Sequence, residues 1–517
     1  MEPTPNPLAA WGSRLAEAFT RRGHVRVSRL VLRLFALIHF AAFASFAVQA
    51  LGLIGSDGIL PLADYVDALR DRLGTGPGAW WSVPFVFWIS ASDPAIEIAV
   101  GLGLVASLVL LAGRLPRVAL ATLYVLYLSL LYAGQRFMTY QWDILLVETT
   151  ALAIFLPRHP TLGIWLLRWL LFRFMLLSGA VKLLSGDPNW ANLTALDYYY
   201  ETQPLPTVLA WYAHQLPHDF NRTCVALMLF IELVLPFCIF GPRIARFAAC
   251  AGFVLLELLI MLTGNYNFFN VLTLLLCLTL LDDDALARLL PQQAYDRLAQ
   301  RVARPGSPDA AGAVARMRAR LGGRVAALVA ALLVGIGVAQ LAGMFRGYLA
   351  GPVASVLQAV EPLRLVNTYG LFAVMTTERD EIVVEGSNDG RSWSEYEFKY
   401  KPGGLKRAPG WMIPHQPRLD WQMWFAALGS YESNPWFGHF LLRLLEGAPA
   451  VTALLANDPF AGTSPRYVRA LRYRYRFSDA ATRAATGQWW TRELTGMYAP
   501  AVELRNRLDD GREPSPH

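Results

Sequence analysis

Lys182 is the residue that most invites chemistry. The 517-residue chain holds only four lysines among 46 basic residues, at 182, 399, 401 and 406, so Lys182 stands alone before the C-terminal third. It lies in GAVKLLSGDPNWANLTALDYYYETQPLP, at the step from a membrane-length apolar helix into a polar, aromatic loop. Lysine offers what arginine does not: a compact amine whose proton affinity falls on burial, so that it can act as a base. The other use of such a residue is a cation snorkelling from a helix end to the interface.

A second set of polar groups lies within hydrophobic sequence. Gln135, Gln141, Trp142, Asp143 and Glu148 surround the start of the fourth apolar stretch, Arg173 lies in the fifth, and Glu232 and Glu257 fall in the sixth and seventh. Charge in hydrocarbon is expensive, so such groups face the interior of a bundle and pair. Two arrangements meet that demand: structural pairing, for example Arg173 with Glu148 or Glu232, or a polar cavity opening outwards beneath the Lys182 loop. Towards the C-terminus His415 and Asp420 are five residues apart, with Arg418 between them and Trp421, Trp424 and Trp436 nearby. The His and Asp have the types for an acid–base pair, but no serine sits in a GxSxG elbow. The same residues also suit a Trp-rich surface that docks on the membrane part or holds a client protein, with Arg418 and Asp420 paired. The sequence has no phosphate-binding loop, HExxH motif or metal-ligand cluster. Cys224, Cys238, Cys250 and Cys277 all lie in or beside apolar stretches without a CxxC motif, which argues against thiol–disulfide exchange.

The elements that position these groups are membrane helices. Hydrophobic residues make up 55% of the chain and charged residues 16%, with a mean hydropathy of +0.34. That is too apolar for a soluble globular protein and fits a polytopic membrane protein with a soluble part. Nine stretches are candidate spans, at 30–54, 96–112, 118–133, 144–156, 162–184, 225–240, 244–262, 268–281 and 326–344. Several are shorter than the ~20 residues a straight crossing needs. The leading segment, residues 1–28, is polar and arginine-bearing, which makes the first span a signal anchor. Arginines at 114 and 117, at 158, at 243 and 246, and throughout 288–324 occupy alternate loops, while 56–93, 135–143, 187–219 and 264–267 hold few. The positive-inside rule therefore puts the N-terminus in the cytoplasm, and an odd number of spans puts the Lys182 loop, the 264–267 turn and the C-terminal part together outside. The net charge of +7 thus serves orientation and membrane lipids, and implies no nucleic acid. Residues 282–323 alternate Ala, Leu and Arg at helical spacing, an amphipathic stretch for the anionic inner leaflet within a membrane domain of residues 29–347.

The character changes in the remaining part, residues 348–517. EIVVEGSNDGRSWSEYEFKYKPG alternates on both sides of an Asn-Asp-Gly turn, a strong hairpin signal. YVRALRYRYRFSD alternates again, and GQWWTRELTGMYAPAV closes the chain. Strands separated by Gly/Pro turns predict an antiparallel β-sandwich of jelly-roll type, with partly helical aromatic segments between the strands.

GAVKLLSGDPNWANLTALDYYYETQPLP resembles the signature of the lipase maturation factors, membrane proteins of the secretory pathway with bacterial relatives. GQRFMTYQWD (134–143), TGNYNFFN (263–270), LVNTYGLFAVMTTERDEI (365–382) and IPHQPRLDWQMWF (413–425) look like motifs of the same family. The resemblance implies a membrane-anchored assembly factor that helps exported proteins, lipases in the named family, reach their active state, with no cofactor required. Its client surfaces would be Asp187, Trp190, Tyr198, Tyr200, Glu201 and Gln203 with Asn265 and Asn267, together with His415, Arg418, Asp420, Trp421 and Trp424. The membrane part is similar, more distantly, to the vitamin K-dependent gamma-carboxylase, in which a Lys-Leu-x-Asp-x-Trp-like stretch supplies the catalytic base. The matching residue here is Lys182. That likeness implies a membrane enzyme using a quinone-like lipid cofactor, its cavity lined by Gln135, Asp143, Glu148, Arg173, Glu232 and Glu257. The expected site is a bacterial inner membrane with a periplasmic C-terminal domain, or the ER membrane and lumen in a eukaryote.

Overall fold

The structure, a computed structural model, describes residues 23–299, 313–347 and 351–504. The leading basic segment and the middle of the 282–323 stretch lie outside the described residues. The membrane part is built from α1 (Val25–Ala47), α2 (Asp93–Leu111), α3 (Pro116–Ala133), α4 (Gln141–Ala153), α5 (Pro160–Leu184), α6 (Ala195–Thr202), α7 (Val208–His214), α8 (His218–Leu233), α9 (Arg243–Thr263), α10 (Phe269–Leu278) and α11 (Ala313–Arg346). Proline at the first helical position opens α3 and α5, where its missing N–H forfeits no bond. The start of α1 is capped from far along the chain. The Asp283 carboxylate accepts the N–H groups of Val25, Arg26 and Val27 at 3.1, 3.0 and 2.9 Å, placing negative charge on the helix's positive end.

Among the described residues seven helices are long and apolar enough to cross a bilayer: α1, α2, α3, α5, α8 as extended to Cys238, α9 and residues 320–346 of α11. The expected spans 144–156 and 268–281 form helices of 13 and 10 residues instead, about 20 and 15 Å long at 1.5 Å per residue. A hydrocarbon core is about 30 Å thick. Most residues of α4 and α10 are buried, so protein rather than lipid surrounds them, and their length is free of the bilayer constraint. The apolar pattern announced hydrophobic surroundings without distinguishing the two.

The bundle has two ends of different character. At one, Asp282 accepts from Arg243 Nε at 2.9 Å, Arg243 Nη2 at 2.7 Å and Arg246 at 3.2 Å, and Arg168 donates to the Thr279 carbonyl at 2.7 Å. The other end receives the C-terminal domain, which is a mixed α/β unit. Its strands β1 (Arg379–Ser387), β2 (Ser394–Tyr396), β3 (Tyr467–Phe477) and β4 (Trp490–Glu503) form one antiparallel sheet in the order β2-β1-β3-β4. The Asn-Asp-Gly segment makes the β1–β2 turn, with Gly390 at φ 71° and Asp389 accepting the N–H groups of Arg391 and Ser392 at 2.8 and 2.7 Å. The expected jelly-roll sandwich is corrected: among the described residues there is no second sheet. Its place is taken by α12 (Arg418–Ala427) against β1 and α13 (Pro435–Leu445) against β3. α13 buries Trp436, Phe437, Phe440, Leu441 and Leu444, a helical stripe that supplies the second layer a sandwich would draw from strands.

Candidate functional site

The geometry around Lys182 starts from a glycine. α5 and α8 approach so closely at Gly179 that an added Cβ would lie 2.8 Å from the Cβ of Glu232. One turn further on, the Lys182 ammonium donates to Glu232 Oε1 at 2.9 Å, Glu232 Oε2 at 2.7 Å and the Ser178 carbonyl at 3.0 Å. The three contacts go to two groups, one carboxylate and one carbonyl, which together hold the amine in place. Lys182 and Glu232 are both buried, and the amine lies 5.4 Å from the centre of the Trp190 ring. A carboxylate neutralises the amine from one side and an aromatic face from the other, which is how a cation is kept charged inside hydrocarbon. Beside this pair Glu257 of α9 accepts from Asn270 Nδ2 of α10 at 2.6 Å.

These groups form the polar end of a cavity of about 480 Å³. One wall is a single face of α8, where Phe220, Cys224, Met228 and Glu232 follow one another at four-residue spacing. α9 makes the facing wall, and α6, α7 and the Leu371–Phe372 turn close the top. Of the expected loop residues, Trp190 and Tyr200 line this cavity. Tyr198 is the exposed one, at 37%.

The other intramembrane polar residues sit elsewhere, at the seam between bundle and C-terminal domain. Glu148 pairs with Arg173 and also accepts from the Asn367 N–H (2.9 Å), Asn367 Nδ2 (2.8 Å) and Tyr369 hydroxyl (2.7 Å). Arg173 in turn donates to the Asn367 carbonyl at 2.9 Å. Asp143 meets Arg418 at 2.8 and 2.9 Å and accepts from the Tyr127 hydroxyl at 2.6 Å. Gln135 donates to the Leu60 carbonyl at 3.1 Å. Asp187 takes the Met375 N–H, and Trp190 Nε1 donates to the Phe372 carbonyl at 2.9 Å. Asn265 bonds the Leu205 and Gly410 carbonyls and the Met412 N–H at 3.1, 2.8 and 3.0 Å. Asn267 accepts the Phe269 N–H at 3.0 Å, starting α10. Gln203 bonds the Thr263 carbonyl at 2.9 Å, and Glu201 accepts the Phe477 N–H at 2.6 Å.

The C-terminal residues face the same seam. Trp421 and Trp424 are buried: Trp421 lies against Trp142 with ring centres 4.7 Å apart, and Trp424 Nε1 donates to the Thr202 carbonyl at 2.8 Å. His415 Nδ1 is 2.9 Å from Ser45 Oγ, and Asp420 accepts the Tyr400 and Lys401 N–H groups at 2.8 Å each. The structure therefore brings neither Asp420 to Arg418 nor His415 to Asp420; Arg418 reaches Asp143 instead. Burial, with the charges of Arg418 and Lys399, pushes the His415 imidazole down to about 4, and burial raises Asp420 above the usual carboxylate range. Among the described residues no group of His, Cys, Asp and Glu is arranged to hold a metal ion.

Sequence reasoning passed over Asn270, Asn367, Tyr369 and Arg379. Arg379 donates to the Glu201 and Pro204 carbonyls at 2.7 and 2.8 Å and to the Gln203 carbonyl, and so pins the loop after α6. All four lie inside the quoted motifs TGNYNFFN and LVNTYGLFAVMTTERDEI, so the signal was a string whose separate letters had no assigned task.

These contacts define a class: a polytopic integral membrane protein whose soluble C-terminal domain is bonded into one end of its own helix bundle. Comparison with known proteins narrows it. Residues 26–288 match the lipase maturation factor transmembrane domain, and residues 365–500 match the lipase maturation factor C-terminal domain. Lipase maturation factor 2 of Rattus norvegicus is 36% identical, over 92% of this chain and 83% of its own length; the Homo sapiens protein of that name gives the same three figures. Lipase maturation factor 1 of Bos taurus is 36% identical, over 96% of this chain and 93% of its own. No solved structure matches. The chain belongs to the lipase maturation factor family.

Proposed function

We propose that the protein matures exported client proteins, lipases as the relatives' names indicate, at the outer face of a membrane. Its parts would be a cytoplasmic segment (1–28), a membrane domain (29–347) and an extracytoplasmic domain (348–517). The observation that carries this reading is the seam. The C-terminal domain is held on the bundle by buried ion pairs and carbonyl bonds, so the aromatics that suited client capture in sequence are spent on docking. What remains available is the outer edge of β4, with which no strand pairs among the described residues. Leu494 and Met497 stand on this strand at 55% and 62% exposure. An unpaired edge with exposed apolar side chains is a template for an extended segment of another chain.

An orientation is supported by charge: the arginine-poor segments around Asp143, Asp187 and Asn265 bond to the C-terminal domain and so share its side of the bundle. The positive-inside rule makes that side the outside, the periplasm for a bacterial inner membrane. A catalytic base at Lys182 has less support, since its amine is ion-paired with Glu232 and bonded to the Ser178 carbonyl. The test is a cell lacking the native protein, expressing a secreted lipase and either wild type or Leu494→Asp/Met497→Asp at equal membrane abundance. Secreted lipase activity is expected to fall about tenfold, the effect of losing ~1.4 kcal/mol of client binding. Unchanged activity would remove β4 as the client surface.

A further inference from the structure

The cavity beside Lys182 has an owner-less polar end. The Lys182 ammonium is held by the Glu232 carboxylate and the Ser178 carbonyl. Glu257 uses one oxygen on Asn270 Nδ2. Asn270 is 2% exposed and lines the cavity, yet its Oδ1 is buried with no partner among the described residues. A buried carbonyl oxygen without a donor costs about 1–3 kcal/mol, and an acceptor in that state is completed by a ligand that brings a hydroxyl. Glu232, Glu257 and Asn270 all present oxygens here, so the polar end is rich in acceptors and suits a headgroup that donates.

The remaining surface is apolar and reaches the lipid. From Phe220 to Glu232 the α8 wall is twelve residues long, about 18 Å of helix. Its rim carries Phe220 at 51% exposure, Leu216 at 42%, Leu259 at 49% and Leu262 at 44%, all lining residues. A rim of exposed apolar residues on membrane helices opens to the bilayer, and a volume of about 480 Å³ is that of a small-ligand pocket.

We propose that this cavity binds a single-chain neutral lipid with a free hydroxyl head, of the monoacylglycerol kind. The head donates to Asn270 Oδ1 and Glu257, and the chain lies along the α8 wall between Met228 and Phe220. The site does not depend on the client surface, because β4 and the cavity share no residue. It also requires no reaction at Lys182.

The test uses the full chain in nanodiscs and two diazirine-bearing probes with the same chain, a monoacylglycerol and a free fatty acid. The monoacylglycerol is expected to label peptides from α8 and α9, to be displaced by unlabelled monoacylglycerol, and to label about tenfold more strongly than the fatty acid. Met228→Trp and Cys224→Trp each fill the cavity and should reduce that labelling about tenfold. Leu258→Trp, on the lipid-facing side of α9 and outside the cavity, should leave it unchanged. Thermal melting of each variant identifies any that has unfolded, and two filling variants keep the test decisive if one does. Labelling spread evenly over exposed helix faces such as Ile98 and Leu102, or equal labelling by the fatty acid, would overturn the proposal.

Discussion

Arg418 is where the seam is most exposed to test. Its side chain is fully buried and donates to Asp143 Oδ1 at 2.8 Å, Asp143 Oδ2 at 2.9 Å and the Phe137 carbonyl at 2.6 Å. In Arg418→Met the aliphatic stem is kept, but Asp143 is left buried with only the Tyr127 hydroxyl. Breaking one side of such a buried pair costs about 3–5 kcal/mol, mostly the penalty of the stranded charge. At about 1.4 kcal/mol per tenfold, the opening of α12 away from the bundle should become two to four orders of magnitude more frequent. Hydrogen exchange of the α12 amides, measured by mass spectrometry on purified protein, reads that opening directly. The double variant Asp143→Asn/Arg418→Met removes the charge and keeps an acceptor for Tyr127, so it should recover most of the loss. A single variant costing less than about 1 kcal/mol, or a double variant worse than Arg418→Met alone, would refute the view that this pair holds the domain down.

Two further outcomes follow from the same geometry. Lys182→Met strands Glu232 and should lower membrane abundance severalfold, since a buried charge has lost its partner. Lys182→Met/Glu232→Leu should restore abundance and secreted lipase activity together; restored abundance with activity still absent would instead make Lys182 a chemical participant. His415 gives the seam a pH dependence. Its imidazole is lowered from 6.5 to about 4, so the unfolded chain takes up the proton first as pH falls. Stability from this residue is therefore complete above pH 6.5 and is lost progressively towards pH 4. The half-buried ring is partly screened by solvent, which brings the expected loss to about 1–2 kcal/mol. The raised Asp420 carboxyl acts with the opposite sign, so melting temperatures of wild type and His415→Asn between pH 4 and 7 isolate the histidine term; identical curves would count against it.

Much of this fold was legible because hydrophobic length and arginine placement are strong local signals. Most long spans were located within a few residues, although α1 and α8 begin five and seven residues before the expected stretches, and the Asn-Asp-Gly hairpin was placed from its turn residues. α4 and α10 misled because burial in protein and burial in lipid demand the same side chains. The sandwich was overcalled for a related reason: alternation marks a strand but does not say what covers its face, and here α13 does. At the candidate site, Lys182, Glu148 and Asp143 drew notice by their charge. Glu232, Arg173 and Arg418 did too, and the Arg173–Glu148 pair was among the expected pairings; the contacts of Asn367 with Glu148 and of Arg418 with Asp143 were not read, because no local pattern reports a contact across 219 or 275 residues.

The intramembrane charges divide by what they touch. Asp143, Glu148 and Arg173 each reach a residue of the C-terminal segment, but Glu148 and Arg173 also pair with each other, so only Asp143 depends on docking for its charge partner, Arg418. Docking therefore adds most to the stability of the bundle at Asp143. Lys182, Glu232 and Glu257 are bonded within the membrane domain itself, at the inner end of a cavity that docking closes from above with Leu371 and Phe372. Release of the seam would thus strand Asp143, remove the Asn367 and Tyr369 bonds from Glu148, and uncover the cavity at once. A domain held this firmly is a fixed platform, and under the proposed function the work of meeting a client falls to the surfaces it leaves free.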